Sequence, residues 1–146
     1  MDASNPTEEI RQLLLEHVPE IASGVIEIKG IVREPGRKTI IAVHSTDPAV
    51  DPVGTCVDTR GIRVKTIVEI LSGEKLDIVR WSDSLSLFVR HLLAPAQVSE
   101  VKVDSANHRI AVFLPEDQVS LATGKRGSRI QMCSRLTEHE IVVRGY

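Results

Sequence analysis

Two short turns carry the residues of this sequence that could do chemistry. The second turn, "GKRG", spans residues 124–127, and the first, "DTRG", spans residues 58–61. Glycine lets another backbone approach closely, and we expect Gly124 to adopt a left-handed conformation at the end of the helix before it. A helix that begins after such a turn presents unpaired N–H groups and the positive end of its dipole. Together with the cations Lys125 and Arg126, this arrangement predicts a site for phosphate.

The elements around each turn occur in the same order in both halves of the chain. Hydrophobic periodicity predicts a helix, two strands, a short helix, the turn, a helix and a final strand. Gly61 and Gly127 lie 66 residues apart, so the pattern is an internal repeat. The repeat predicts an α+β protein of two units, residues 1–81 and 82–146, each with a three-stranded sheet and helices packed on one face. The join at residues 81–84 is too short for a flexible linker, and we therefore expect the units to hold a fixed relation.

A GxxG turn between two helices, beside a three-stranded sheet, is the arrangement with which a KH domain clamps single-stranded nucleic acid. The aromatic content agrees, because one Trp, one Tyr and two Phe cannot build the stacking platform of an RRM or a cold-shock sheet. KH grooves hold bases against aliphatic side chains instead. Five aliphatic side chains flank the turns, namely Val57, Ile62, Val64, Leu121 and Ile130. A side chain of this kind more often belongs simply to the core of its unit.

Longer stretches resemble one family of KH proteins. "GVIEIKGIVREPGRKTIIAV", "DPAVDPVGTCV" and "GEKLDIVRW" resemble the first KH domain of the bacterial transcription factor NusA. "DQVSLATGKRGSRIQMCSRL" resembles its second KH domain, and the resemblance covers residues 18–143. It implies two tandem type II KH domains that bind single-stranded RNA during transcript elongation, pausing, termination or antitermination. RNA polymerase and other transcription factors are the further partners that it implies.

The resemblance also indicates site residues. The second GxxG turn is complete at residues 124–127, whereas the first keeps Arg60 and Gly61 but has Asp58 where the family has glycine. The predicted RNA contacts lie in the two turns and directly after them. They are Gly124, Lys125, Arg126, Gly127, Ser128, Arg129, Thr59, Arg60, Gly61, Arg63 and Lys65. No metal or cofactor is expected.

The acid at position 58 has two interpretations. Asp58 could cap the helix that begins at Ile62, because a carboxylate is stabilised near a helix N-terminus. The same carboxylate would repel an RNA phosphate from the first turn, with Arg60, Arg63 and Lys65 offsetting part of the repulsion. The second interpretation predicts that RNA is bound chiefly through the second unit.

Bacterial members of the family carry an RNA-polymerase-binding domain and an S1 domain before the KH pair. Neither domain fits this sequence. Both a fragment of a longer protein and a short stand-alone relative agree with that departure.

Charge and composition limit the function classes. The net charge of −2 argues against a surface that binds polyanions over its whole extent. Residues 1–80 hold ten basic and thirteen acidic side chains, whereas residues 81–146 hold eight and seven, so the second half is the better place for an anion site. Two cysteines without metal-ligand spacing, an acidic N-terminus and short apolar runs predict a cytoplasmic protein without a secretory signal or a membrane span. We expect it to be a monomer.

Rival functions find weaker support. An enzyme is not expected, because the five histidines are scattered and fall in no HExxH or nucleophile–His signature. Cys56 and Cys133 are predicted to be small apolar packing residues, and Asp47 and Asp51, next to prolines, are typical turn formers. A KH-fold scaffold that binds proteins and has little RNA affinity is favoured by Asp58 and the acidic first half. A KH protein that acts elsewhere in RNA metabolism is a further alternative.

Overall fold

The computed structural model describes residues 6–146, apart from the side chain of Thr59. The chain divides into two compact units, residues 1–81 and residues 82–146. Each unit holds one three-stranded sheet together with its own helices. None of the helices within residues 6–146 has both the length and the apolar character that crossing a membrane requires.

The first unit is built on a mixed sheet. Its helices are α1 (Pro6–His17), α2 (Pro19–Ala22), α3 (Pro52–Val57) and α4 (Ile62–Ile70). Its strands are β1 (Ile26–Glu34), β2 (Lys38–Ser45) and β3 (Lys75–Arg80). The central strand β2 pairs antiparallel with β1 and parallel with β3. A parallel pair needs a crossover connection, and here α3, the turn at residues 58–61 (the first loop) and α4 supply it.

An apolar stripe on α1 packs the helices of this unit onto the sheet. Ile10 and Leu14 of α1 and Val18, which directly follows the helix, recur every four residues and are fully buried. They form one cluster with Ile41 and Val43 of β2, which point to the same face because strand side chains alternate. The cluster also includes one residue from α3 and one from α4. The two helices that flank the first loop are therefore fixed on this core.

Prolines and acids set several helix boundaries. Pro19 lacks the N–H needed to continue α1 but suits the first position of a new helix, and it opens α2, which the sequence analysis did not predict. Asp51 accepts a hydrogen bond from the N–H of Val53 at 3.2 Å and caps α3. Asp47 accepts one from the N–H of Ala49 at 2.9 Å. Asp47 therefore lies in a turn, as predicted, whereas Asp51, also predicted to form a turn, caps a helix.

A buried carboxylate ties the chain just after α4 to the β1–β2 turn. Glu74 is 1% exposed and accepts a hydrogen bond from Arg33 Nη2 at 2.8 Å. Thr39 Oγ1 and the N–H of Gly36 also donate to it, at 2.7 Å and 2.8 Å. Burial alone would raise the pKa of Glu74, but these hydrogen bonds outweigh burial and hold its pKa below the ordinary value. Because Arg33 also donates to Glu9 of α1 at 2.6 Å, the cluster joins three elements around the far end of α4.

The second unit repeats this topology. Its helices are α5 (Leu85–Leu93), α6 (Val119–Thr123) and α7 (Ser128–Thr137), and its strands are β4 (Glu100–Asp104), β5 (Arg109–Leu114) and β6 (Glu140–Gly145). The central strand β5 pairs antiparallel with β4 and parallel with β6, and α6, the turn at residues 124–127 (the second loop) and α7 form the crossover. The predicted α+β class, with two three-stranded sheets, is confirmed.

Alternation along β5 defines the buried face of the second sheet. Ile110, Val112 and Leu114 are fully buried, whereas the residues between them are only partly covered. Ser84 caps α5 by accepting a hydrogen bond from the N–H of Leu87 at 3.3 Å. This cap fixes the start of the first helix in the unit.

Both cysteines are structural. Cys56 on α3 and Cys133 on α7 are buried and free of disulfides. Burial raises the pKa of the Cys56 thiol to about 11, so the reactive thiolate is scarce at neutral pH. Their predicted role as small apolar packing residues is confirmed.

Candidate nucleic-acid interface

The two loops follow nearly the same backbone path. Arg60 in the first loop has φ 61° and ψ 16°, and Arg126 at the matching place in the second has φ 55° and ψ 29°. The glycines that close the loops have φ values of 69° and 72°. These are left-handed conformations, which cost a residue with a Cβ more than they cost glycine. The repeat in the sequence is therefore also a repeat in backbone geometry.

The position that opens each loop has a more demanding conformation than the sequence predicted. Gly124 has φ 73° and ψ −179°, and Asp58 has φ 65° and ψ 177°. This combination is not the left-handed helical conformation expected for Gly124 but a region that is essentially restricted to glycine. At Gly124 a Cβ would lie 2.7 Å from the Cβ of Arg129 and 3.0 Å from its backbone nitrogen. Gly124 is therefore required, whereas Asp58 carries a Cβ in the same backbone conformation.

Both helices that follow the loops begin without a side-chain cap. The N-cap residues of α4 and α7 are Gly61 and Gly127, and neither helix start receives a hydrogen bond from a capping side chain. The first-turn N–H groups and the positive dipole end therefore remain suited to an anion. The predicted capping role of Asp58 for α4 is wrong, because Asp58 is the C-cap of α3 and its N–H donates to the carbonyl of Gly54 at 2.8 Å.

The exposed cations are distributed unequally between the loops. Lys125 and Arg126 are both exposed in the second loop, and the stretch from there to the end of α7 contains no acid. In the first loop Arg60 is exposed, Asp58 balances its charge, and Thr59 stands at the position of Lys125. The side chain of Thr59 is outside the described part of the chain. The second loop therefore has a formal charge of +2 and the first a formal charge of zero.

Arg129 does not belong to the exposed cations, contrary to the prediction from the sequence. Its side chain is 8% exposed, and Nε and Nη2 donate to the carbonyl of Leu92 at 2.9 Å and 2.5 Å. Leu92 lies in the last turn of α5, where carbonyl groups lack partners within the helix. Arg129 therefore holds the first turn of α7 against the end of α5. Its Cβ and backbone nitrogen are also the atoms that leave no room for a Cβ at Gly124.

Arg63 occupies the position of Arg129 in the first unit and is likewise engaged. Its Nη1 donates to Glu20 Oε1 at 2.9 Å and to the carbonyl of Thr55 at 2.8 Å. Its Nε lies 3.6 Å from Asp58 Oδ2. Arg63 is partly buried, and its charge is shared between two carboxylates. Lys65 further along α4 is exposed.

The aliphatic candidates separate into two groups. Val57, Val64 and Ile130 are partly buried, whereas Ile62 and Leu121 are 55% and 51% exposed. Ile62 directly follows the first loop, and the matching position in the second unit is a partly buried serine, Ser128. Leu121 precedes the second loop on α6. Each unit therefore presents one open aliphatic side chain near its loop, on opposite sides of the turn.

Two partners that shape the first loop could not be predicted from the sequence. Glu20 lies 43 residues before Arg63, and Thr55 contributes only its backbone carbonyl. The backbone conformation of Asp58 was also not predicted. The glycine at the matching position of the second loop, Gly124, could have indicated it. Long-range and backbone contacts of this kind leave no local pattern.

Comparisons with known proteins agree with this geometry. The family model of the NusA-like first KH domain matches residues 4–81, and that of the NusA-like second KH domain matches residues 85–145. The chain belongs to the NusA-like KH family. The predicted resemblance to the tandem KH region of NusA is thereby confirmed.

NusA relatives match nearly the whole chain. The transcription termination/antitermination protein NusA of Halalkalibacterium halodurans is 42% identical over 135 residues, which cover 92% of this chain and 35% of the relative. NusA of Thermus thermophilus is 42% identical over 132 residues, covering 90% and 34%, and NusA of Bacillus subtilis is 42% identical over 135 residues, covering 92% and 36%. The chain thus spans about a third of the length of these relatives.

A solved structure shares the fold. The crystal structure of APE1850 has a TM-score of 0.63 and 22% sequence identity, and the match covers 89% of this chain and 96% of that one.

Proposed function

We propose that this NusA-like protein binds single-stranded RNA through its KH units, with the second loop as the principal phosphate contact. One observation carries the proposal: the exposed Lys125 and Arg126 stand on a GxxG turn that opens onto the uncapped start of α7. Gly124 and Gly127 let an RNA backbone approach the N–H groups there, and the two cations add charge in a loop that contains no acid. Arg60 and Lys65 are secondary contacts in the first unit.

The relatives support a role in transcription. They are named transcription termination/antitermination protein NusA, and this chain matches the part of them that its two KH units cover. We infer that the RNA is a transcript bound during elongation, termination or antitermination, and that RNA polymerase or other transcription factors are further partners. The protein would act as a cytoplasmic monomer, by binding and without a catalytic step.

A protein-binding scaffold is the second candidate. It is favoured by the first loop, where Asp58 cancels the charge of Arg60 and pairs with Arg63. A scaffold of this kind would keep the KH fold and have little affinity for RNA.

Titration with matched oligonucleotides separates the candidates. We expect a single strand of about ten nucleotides to bind better than the same sequence as a duplex, because a KH groove needs unpaired bases. The logarithm of the affinity should fall with the logarithm of the salt concentration by about 0.7 for each phosphate contacted. Absence of binding at both low and moderate salt would favour the scaffold. Equal affinity for the single strand and the duplex would show that the protein binds RNA only through nonspecific electrostatic attraction and not through a KH groove.

A further inference from the structure

The first loop contains an anion of its own. Asp58 opens this loop in a backbone conformation that is essentially restricted to glycine, and the matching residue of the second loop is Gly124. A residue with a Cβ persists in such a conformation only where its surroundings hold it there, and such outliers cluster at functional sites. The side chain at position 58 therefore needs an explanation beyond the turn itself.

A capping role does not supply that explanation. The N-cap of α4 is Gly61, and no side chain caps this helix start. The Asp58 carboxylate instead lies 3.6 Å from Nε of Arg63, which is the second residue of α4. The negative charge thus belongs to the loop that precedes α4 and is paired with a side chain from the first turn of that helix.

Neutralising the charge of Arg63 does not explain the carboxylate at position 58 either. Nη1 of Arg63 already donates to Glu20 at 2.9 Å and to the carbonyl of Thr55 at 2.8 Å. At the matching position of the second unit, Arg129 is held by the carbonyl of Leu92, and no acid lies in the second loop. An arginine at this place in the fold is therefore accommodated without a carboxylate in its loop.

We propose that Asp58 is a built-in substitute for an RNA phosphate, which closes the first loop to the RNA backbone and leaves the phosphate clamp to the second loop alone. The proposal rests on the proposed RNA-binding function and adds an asymmetry to it. The first unit can still contact RNA in two ways. A base can pack on the exposed Ile62, and the charges of Arg60 and Lys65 attract the RNA backbone. Its loop, with a formal charge of zero, does not hold a phosphate.

Two substitutions at position 58 test the proposal. Asp58→Gly introduces the residue that the second loop has at the matching position, Gly124, and Asp58→Asn removes the charge while keeping the Cβ and the shape. Asp47→Asn serves as the matched control, because it removes one negative charge from the same unit at a turn that Asn also forms. The probe is a single-stranded RNA of about ten nucleotides, titrated at several salt concentrations.

We expect Asp58→Gly to bind this RNA about fivefold more tightly than the wild type and its salt dependence to steepen by about 0.7, the value for one additional phosphate contact. Asp58→Asn should show part of the same gain, and Asp47→Asn should behave like the wild type.

If the wild type binds RNA and both Asp58 variants have its affinity and salt dependence, the asymmetry is refuted and the RNA-binding function stands. An equal gain in Asp47→Asn would also refute it, since the effect would then be one of net charge. If neither the wild type nor any variant binds RNA, the proposed function itself fails.

Discussion

At the scale of single residues, the charge of the second loop lies in two exposed side chains, Lys125 and Arg126. Replacing both with Asp should lower the affinity for single-stranded RNA by roughly tenfold or more, because two cations facing phosphates become anions. The fold should be retained, since both positions are exposed and Asp tolerates the left-handed conformation found at Arg126. Equilibrium titration of the RNA, with circular dichroism to check the fold, measures both effects.

A control with the same change in charge exists elsewhere in the chain. Lys75 begins β3, beyond the far end of α4 from the first loop, and Lys102 lies on the edge strand β4. The double variant Lys75→Asp and Lys102→Asp should lose much less affinity than the loop variant. Similar losses in the two variants, or wild-type binding by the loop variant, would mean that the second loop is not the site.

The matched positions 58 and 124 should respond to substitution in opposite directions. Asp58→Gly relieves a backbone conformation that costs a residue with a Cβ about 1–3 kcal/mol, and it removes a partly exposed ion pair worth about 0–1 kcal/mol. We therefore expect the free energy of unfolding to rise by about 1 kcal/mol. The capping interpretation of Asp58 would instead predict a loss of stability in this variant.

Gly124→Ala tests the other half of this comparison. It adds a Cβ where Arg129 leaves no room, in the same backbone region, so the free energy of unfolding should fall by about 1–3 kcal/mol. Urea unfolding of both variants followed by circular dichroism gives the two changes. A loss of stability in Asp58→Gly would show that its ion pair with Arg63 outweighs the backbone strain.

The sequence identified the loops but not the surroundings of every loop residue. Residue types and spacing were sufficient for Gly124, Lys125, Arg126 and Gly127, because the motif is local. They failed for Arg129, since nothing in the sequence distinguishes an exposed arginine in the first turn of a helix from one whose guanidinium reaches a carbonyl 37 residues away.

At the scale of elements, the regular helices and strands follow from periodicity, and the exceptions have local causes. The apolar stripe of α1 and the alternation along β5 correspond to faces that are buried in the structure. The short helix α2 was missed because four residues are too few to show a period, although Pro19 is a typical first residue. The cluster around Glu74 was equally unpredictable, since its members come from three separate elements.

That cluster predicts how the first unit responds to acid. Because the pKa of Glu74 is lower in the folded protein, its contribution to stability is fully present above the ordinary glutamate value of about 4.3. The contribution is lost as the pH falls through the lower pKa of the folded state. Glu74→Gln should therefore reduce the free energy of unfolding at pH 7, and the variant should lose less further stability in acid than the wild type does.

An exposed glutamate on α4, the helix that precedes Glu74, provides the control. Glu69→Gln on α4 should leave both the stability at pH 7 and its acid dependence close to those of the wild type, because Glu69 is exposed. Urea unfolding at pH 7 and at several pH values below 4.5 makes the comparison. An acid dependence unchanged by Glu74→Gln would show that other carboxylates control the acid response.

At the scale of the whole molecule, the repeat of 66 residues predicted two similar units, and the structure confirms that both have the same strand order and the same crossover. The repeat showed the acid in the first loop but not the side-chain partners of its neighbours. Glu20, the partner of Arg63, lies 43 residues before it.

The length of the RNA that gives full affinity tests whether the units act as one surface. A KH domain contacts about four nucleotides, so a strand of about four fills one groove and a strand of about ten is long enough for two. We expect the affinity of the wild type to keep rising beyond the length that fills one groove, but modestly, because the first unit adds Ile62 and two cations without a phosphate clamp.

Asp58→Gly should steepen the rise for long strands and leave the affinity for about four nucleotides nearly unchanged, since the second loop already binds these. A plateau at about four nucleotides in both proteins would show that the first unit takes no part in binding RNA. A gain in Asp58→Gly that is equal at all lengths would place the effect of Asp58 outside the first groove.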